Sequence, residues 1–216
     1  MKTIRITGKG NLKVRPDTTR ITLTLNEVRR EYADALRVSS EKTEQLRDLL
    51  SGFGLARTDL KTLNFSVDTE YEGYHEKGTY KQRFIGYRYR HVMKVEFPSD
   101  NERLGKILYG LSASPVSPEF RISYVVSDPE AKKNELLEKA VQDARTKAEV
   151  LTRAAGVTLK DIWSIDYSWG EVDFEVRPMN ELPMLSKIDA EASLKMDIEP
   201  DDIEMSDTVT VTWEVA

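Results

Sequence analysis

Hydrophobic positions change period several times along the chain, and each change marks an element. Residues 2 to 7 alternate enough for a short strand, and Gly8-Lys9-Gly10-Asn11 reads as the turn that closes it. After Pro16-Asp17, Ile21, Leu23 and Leu25 recur at period two with threonines between them, the mark of a long strand with one buried face. From Glu31 to Phe53 the period becomes helical, with Tyr32, Leu36, Leu46, Leu50 and Phe53 on one stripe. Leu63, Phe65, Val67 and Tyr71 alternate again, and the segment EGYHEKGT connects them to a return strand. That strand carries Ile85, Tyr87, Tyr89, His91, Met93, Val95 and Phe97 on one face and Arg88, Arg90, Lys94 and Glu96 on the other.

Ser99 stands three residues before Glu102, a capping-box spacing that predicts a short helix using Leu104, Ile107, Leu108 and Leu111. Pro115 and Pro118 end it, and Phe120, Ile122, Tyr124 and Val126 form the next strand. Asp128 and Pro129 suit the N-cap and first turn of the longest helix, which runs to about Ala155. Its inner column is Leu136, Ala140, Ala144 and Ala148, then Leu151 and Ala155 after a shift of three. Small residues at that spacing let a helix approach its neighbour closely. Glu135/Lys139, Asp143/Lys147 and Glu149/Arg153 are acid-first pairs on its wet face. Val209, Val211 and Trp213 alternate with threonines in the last strand.

One stretch occurs twice. GLARTDLKTLNFS begins at Gly54 and GVTLKDIWSIDYS at Gly156, with glycine, aspartate and final serine coinciding at a constant offset. Each copy follows a helical pattern and opens an alternating run. A glycine just past a helix end supplies positive φ, and the aspartate then begins the turn into a strand. The order from Asp17 to Ser127 is strand, helix, strand, strand, helix, strand, which fits a ferredoxin-like split arrangement. The expected fold is α+β: a mixed, largely antiparallel sheet with helices packed on it. A βαββαβ-like part is followed by the long helix and two further strands, all in a single domain over 1–216.

The composition, 39% hydrophobic and 32% charged, belongs to globular proteins rather than to membrane or disordered ones. No cysteine is present, so disulfides and thiolate metal sites are excluded and the redox compartment stays open. No apolar run is long enough to span a membrane, and the first residues lack a secretory signal, which predicts a cytoplasmic protein as written and a periplasmic or secreted one if a leader was removed. The net charge of −5 is uneven: between Glu171 and Asp207 twelve acids face Arg177, Lys187 and Lys195. Residues 171–205 therefore read as an acidic loop or hairpin arm.

Candidate chemistry is sparse. The two histidines, His75 and His91, have no zinc-ligand spacing, and no phosphate loop, nucleophile elbow or dinucleotide fingerprint occurs. Asp59 and Asp161 are the best carboxylate pair, because the repeat could place them equivalently, and paired carboxylates bind Ca²⁺ or perturb one another's pKa. An aspartate in such a turn also bonds its own backbone. The YKQRFIGYRYRH run mixes aromatic and basic residues as single-stranded nucleic-acid binders do, but strand geometry separates Tyr87 and Tyr89 from Arg88 and Arg90. No nucleic acid, cofactor or metal is predicted. Tyr87, Arg88, Tyr89, Arg90 and His91 instead suit a protein interface, where Tyr and Arg are enriched.

Five segments taken together resemble the SIMPL-domain family, which includes the periplasmic immunogenic proteins of Gram-negative bacteria: ITGKGNLKVRPDTTRITL, TDLKTLNFSVDTEYE, IGYRYRHVMKVEF, AVQDARTKAEVLTRAAG and IEPDDIEMSDTVTVTWEV. The resemblance covers nearly the whole chain. It implies an α+β subunit that self-associates, in some relatives into ring-like or hollow assemblies, and it brings no catalytic residues. This chain departs from it in lacking a signal peptide, in Thr158-Leu159 where Leu-Gly is common, and in Asp201 where Gly is common. The expected function is a non-enzymatic, self-associating structural or interaction protein. The alternative is a small-molecule or lipid binder with a pocket between the sheet and the long helix.

Overall fold

The computed structural model describes residues 2–167, 175–176 and 199–216. In chain order the elements are β1 (Lys2–Val14), β2 (Thr18–Arg29), α1 (Tyr32–Ser51), β3 (Lys61–Glu76), β4 (Thr79–Pro98), α2 (Asn101–Ala113), β5 (Glu119–Val125), α3 (Pro129–Ala155), β6 (Leu159–Asp166), the two-residue β7 (Glu175–Val176) and β8 (Ile203–Val215). The fold is α+β, with its strands divided between two sheets. The chain divides into two compact units, one of residues 1–17, 125–176 and 200–216, the other of 18–124 and 177–199. Most of the acidic 171–205 segment lies outside the described residues.

In the first unit β8 stands between β1 and β6, antiparallel to both. One face of this sheet packs on α3, burying Val209, Val211 and Trp213 beside Ala140, Ala144 and Ala148. Here the expected turn at Gly8-Lys9-Gly10-Asn11 is corrected, because β1 runs unbroken through both glycines. They lack side chains so that the helix backbone can approach. A β-carbon on Gly8 would lie 2.0 Å from the Ala140 carbonyl oxygen, and one on Gly10 would lie 2.2 Å from that of Leu136. Glycine inside a strand marks such a close approach as well as a turn, and local sequence does not separate the two. The alanine column keeps its four-residue step to buried Thr152, whose hydroxyl donates to the Ala148 carbonyl at 2.8 Å, while Leu151 is exposed. Asp128 caps α3 as expected, accepting from the Ala131 N–H at 2.9 Å. The Glu135/Lys139 and Asp143/Lys147 pairs form, whereas Glu149 pairs with Arg145.

In the second unit the long strands stand in the order β3-β4-β2-β5, the arrangement of a split β-α-β fold. The helix-facing side is a core of Ile21, Leu23 and Leu25 from β2, Met93, Val95 and Phe97 from β4, and Leu104, Ile107, Leu108 and Leu111 from α2. The buried stripe of α1 is Ala35, Ser39, Thr43, Leu46 and Leu50. Tyr32 and Leu36 are exposed, so the expected stripe was rotated at its start. The cap of α2 is Asp100, accepting from the Arg103 N–H at 3.0 Å; the expected Ser99 instead pairs with the Thr19 hydroxyl.

The repeated junctions close alike. Gly54 and Gly156 have φ of 76° and 70°, and in each case the next N–H reaches back five residues, Leu55 to the Leu50 carbonyl and Val157 to that of Thr152. This is the Schellman closure that left-handed glycine permits. Beyond it the copies diverge. The first makes a 3-10 turn over Arg57–Asp59 before β3, while the second enters β6 directly.

Candidate interaction surface

β2 ends at Arg29, opposite Tyr87, so from Gly86 outward β4 has β3 as its only strand partner among the described residues. The two strands continue as a ribbon to a two-residue turn at Lys77-Gly78, both at positive φ as a type I′ hairpin requires. Every residue from Tyr71 to Phe84 is exposed. This ribbon is the arm of the molecule, and its two faces differ.

One face is aromatic. It prolongs the helix-facing side of the sheet past Tyr32, where α1 begins and its cover stops. Tyr32 meets Tyr87 edge to face at 5.6 Å, Tyr87 meets Phe84 at 5.3 Å, and Phe84 meets Tyr71 at 5.8 Å. Nearer the tip the Tyr80 ring lies across Gly73 and touches His75. Each contact is T-shaped, the geometry that ring quadrupoles favour. Tyr71, Tyr80 and Phe84 nonetheless remain 52%, 59% and 47% exposed.

The opposite face is charged and paired. Arg88 forks onto Glu70 with two bonds of 2.8 Å and reaches Asn26 at 3.1 Å. Arg83 binds Glu72 at 2.6 Å and Lys81 binds Glu76 at 2.5 Å. The Arg88 hydrogen bonds hold the Glu70 carboxyl below the usual range, and Glu70 raises Arg88 in return.

The five interface residues expected from sequence separate in the structure. Tyr87 joins the aromatic row and Arg88 the ion pairs, while Arg90 is exposed. Tyr89 is fully buried in the core and presents nothing to a partner. Its hydroxyl has no hydrogen-bond partner among the described residues, and burial pushes its pKa up. Sequence reasoning pointed to the 79–97 hairpin arm or the 171–205 segment as the contact with a neighbouring copy, but did not single out Tyr71, Tyr80 and Phe84 within the arm. Their signal was available, since Tyr71-x-Gly73-x-His75 and Tyr80-x-Gln82-x-Phe84 flank Lys77-Gly78 at period two.

His91 sits in a cage of hydroxyls between α1 and β3. Its Nδ1 lies 3.2 Å from Thr43 Oγ1 and 3.4 Å from Ser39 Oγ, and its Nε2 lies 2.8 Å from Thr62 Oγ1. The Thr43 hydroxyl already donates to the Ser39 carbonyl at 2.7 Å, so toward Nδ1 its oxygen is an acceptor, an arrangement that suits a proton on Nδ1 with Nε2 accepting from Thr62. Phe65 stands edge-on to the ring. Burial, helped by the Arg47 charge, pushes the imidazole pKa down. Ser39 and Thr43 are buried, so neither offers a nucleophile to solvent.

Asp59 and Asp161 occupy different settings. Asp59 accepts from the Ala56 N–H at 2.8 Å, closing its own turn, whereas Asp161 is an exposed residue within β6. They belong to separate compact units. Among the described residues no three or more histidine or acidic side chains gather as a metal would need, and no described helix is long and apolar enough to cross a membrane.

Together the split β-α-β unit, the α3-backed sheet and the arm define an α+β protein whose arm carries an exposed aromatic row on one face. The chain belongs to the SIMPL family: residues 4–213 match its model, described as a protein of unknown function (DUF541). It is 22% identical to the uncharacterized protein YggE of Edwardsiella ictaluri (strain 93-146) over 97% of this chain and 85% of that protein. It is 27% identical to the 26 kDa periplasmic immunogenic proteins of Brucella melitensis biotype 1 and Brucella abortus (strain S19), over 72% of this chain and 62% of theirs.

Proposed function

We propose that this chain is a non-enzymatic structural subunit that associates with copies of itself through the β3–β4 arm. The observation that carries the reading is the uncovered aromatic row from Tyr32 to Tyr71, backed by a face whose charges are already paired. A two-stranded ribbon exposed on both faces is marginal in water and gains from a further strand or a packed partner. Aromatic rings are the side chains that contribute most when an interface covers them.

The pairing of Arg83, Arg88 and Lys81 with carboxylates supports a protein partner over nucleic acid, since those cations are engaged within the arm. The hydroxyl cage of His91 supports a structural role for the one histidine in the body of the sheet. The alternative, a small-molecule or lipid pocket between sheet and long helix, draws no support from that region, where α3 lies too close to β1 to admit even a β-carbon at Gly8. The name of the Brucella relatives supports a periplasmic setting over a cytoplasmic one.

Light scattering on the purified chain across micromolar concentrations tests the reading. A mass that is a multiple of 24.7 kDa is expected, falling toward the monomer when Tyr71 and Phe84 are both replaced by serine. A monomer mass throughout overturns it.

A further inference from the structure

Among the described residues the arm has two open edges of opposite charge. β3 is the outermost strand of its sheet among the described residues, and its distal half carries Glu70, Glu72 and Glu76. Among the described residues β4 has no second neighbour over Thr79–Gly86, and that stretch carries Lys81 and Arg83. Unpaired strand edges are templates for another strand, and native proteins usually protect them. The edge strand β1 shows such protection, because Asp143 of α3 accepts its Lys9 N–H at 2.7 Å. Among the described residues no corresponding cap is seen on the arm.

We propose that the arms of neighbouring copies add side by side, the acidic edge of β3 receiving the basic free edge of β4 from the next copy. This deepens the self-association reading and rests on it. Pairing β3 with a second β3 would set acid against acid at the distal end, whereas β3 against β4 continues the alternation each hairpin already has. In that arrangement Arg83 stands between Glu72 of its own hairpin and Glu72 of the neighbour. Repeating the internal register, in which Tyr71–Glu76 lie opposite Thr79–Phe84, makes the new pair antiparallel and points all arms the same way.

The aromatic row is then carried from copy to copy on one side of a continuous ribbon. Such a contact is heterologous, so it generates a ring if the rotation closes and a filament if it does not. Six residues a side is less than a standard standing interface, so one contact is weak, and closure makes it persist through the avidity of many.

The test uses two full-length variants and their mixture. Glu72→Arg with Glu76→Arg makes the arm basic on both edges, and Lys81→Glu with Arg83→Glu makes it acidic on both. Each alone is expected to fall to the 24.7 kDa monomer by light scattering, and an equimolar mixture is expected to regain the wild-type mass, because basic and acidic hairpins then alternate. Either variant assembling alone as the wild type does, or a mixture that stays monomeric while circular dichroism shows both folded, overturns edge addition and leaves self-association standing. A monomeric wild type overturns both.

Discussion

Gly8 of β1 lies so close to Ala140 of α3 that a β-carbon there would come within 2.0 Å of the Ala140 carbonyl oxygen and 2.7 Å of the Ala144 β-carbon. Strand and helix backbones are in contact, and the alanine column of α3 is the other half of the fit.

Gly8→Ala is therefore expected to destabilise the protein by about 1–3 kcal/mol or more, the cost of forcing atoms into a packed site. Chemical denaturation reads it. Gly78, with open space around it, serves as the control: Gly78→Ala strains only the turn, at about 1 kcal/mol. Equal losses at the two sites would mean that the helix can retreat from the strand at little cost.

Tyr89 and Tyr124 are buried with unpartnered hydroxyls. Their rings fill the core, and neither hydroxyl has a hydrogen-bond partner among the described residues. Removing such a group while keeping the ring relieves a desolvation cost of about 1–3 kcal/mol. Tyr89→Phe should leave stability unchanged or raise the denaturation midpoint, and Tyr89→Ala should lower it by several kcal/mol, on the order of a deleted core aromatic. A Tyr89→Phe variant clearly less stable than the parent would show that the hydroxyl is bonded in solution.

His91 makes stability depend on pH. Its pKa is lowered in the folded state by burial and by Arg47, so below the ordinary histidine range, about 6.5, the unfolded chain binds a proton that the folded chain refuses. Stability contributed by the neutral ring is complete above that value and is lost as pH falls toward the depressed folded pKa. Unfolding free energy measured between about pH 7 and 5 should fall more steeply for the parent than for His91→Gln. Parallel slopes would assign the acid sensitivity to the carboxylates alone.

The legible part of this molecule is its local periodicity. The face of β4 that holds Tyr89, Met93, Val95 and Phe97, the Asp128 cap and the two glycine closures all follow from residues within one element or one turn. So does the divide between Tyr87 and Arg88 on opposite faces, because strand side chains alternate whatever packs on them.

What lay beyond the sequence was what each face meets. Ser39 and Thr43 are polar residues on the buried stripe of α1, and only the placement of His91 beneath them shows what they bond, while Tyr89 looks like an interface residue until the core closes over it. Gly8 and Gly10 suit a turn or a strand equally well as isolated glycines, and the backbone of α3 settles the matter. Sequence alone determined the period, caps and junctions of the elements, since those depend on neighbours a few residues away. Tertiary structure decided the division into two sheets, the burial of Tyr89 and the exposure of the arm, since burial depends on which distant surface arrives to exclude water.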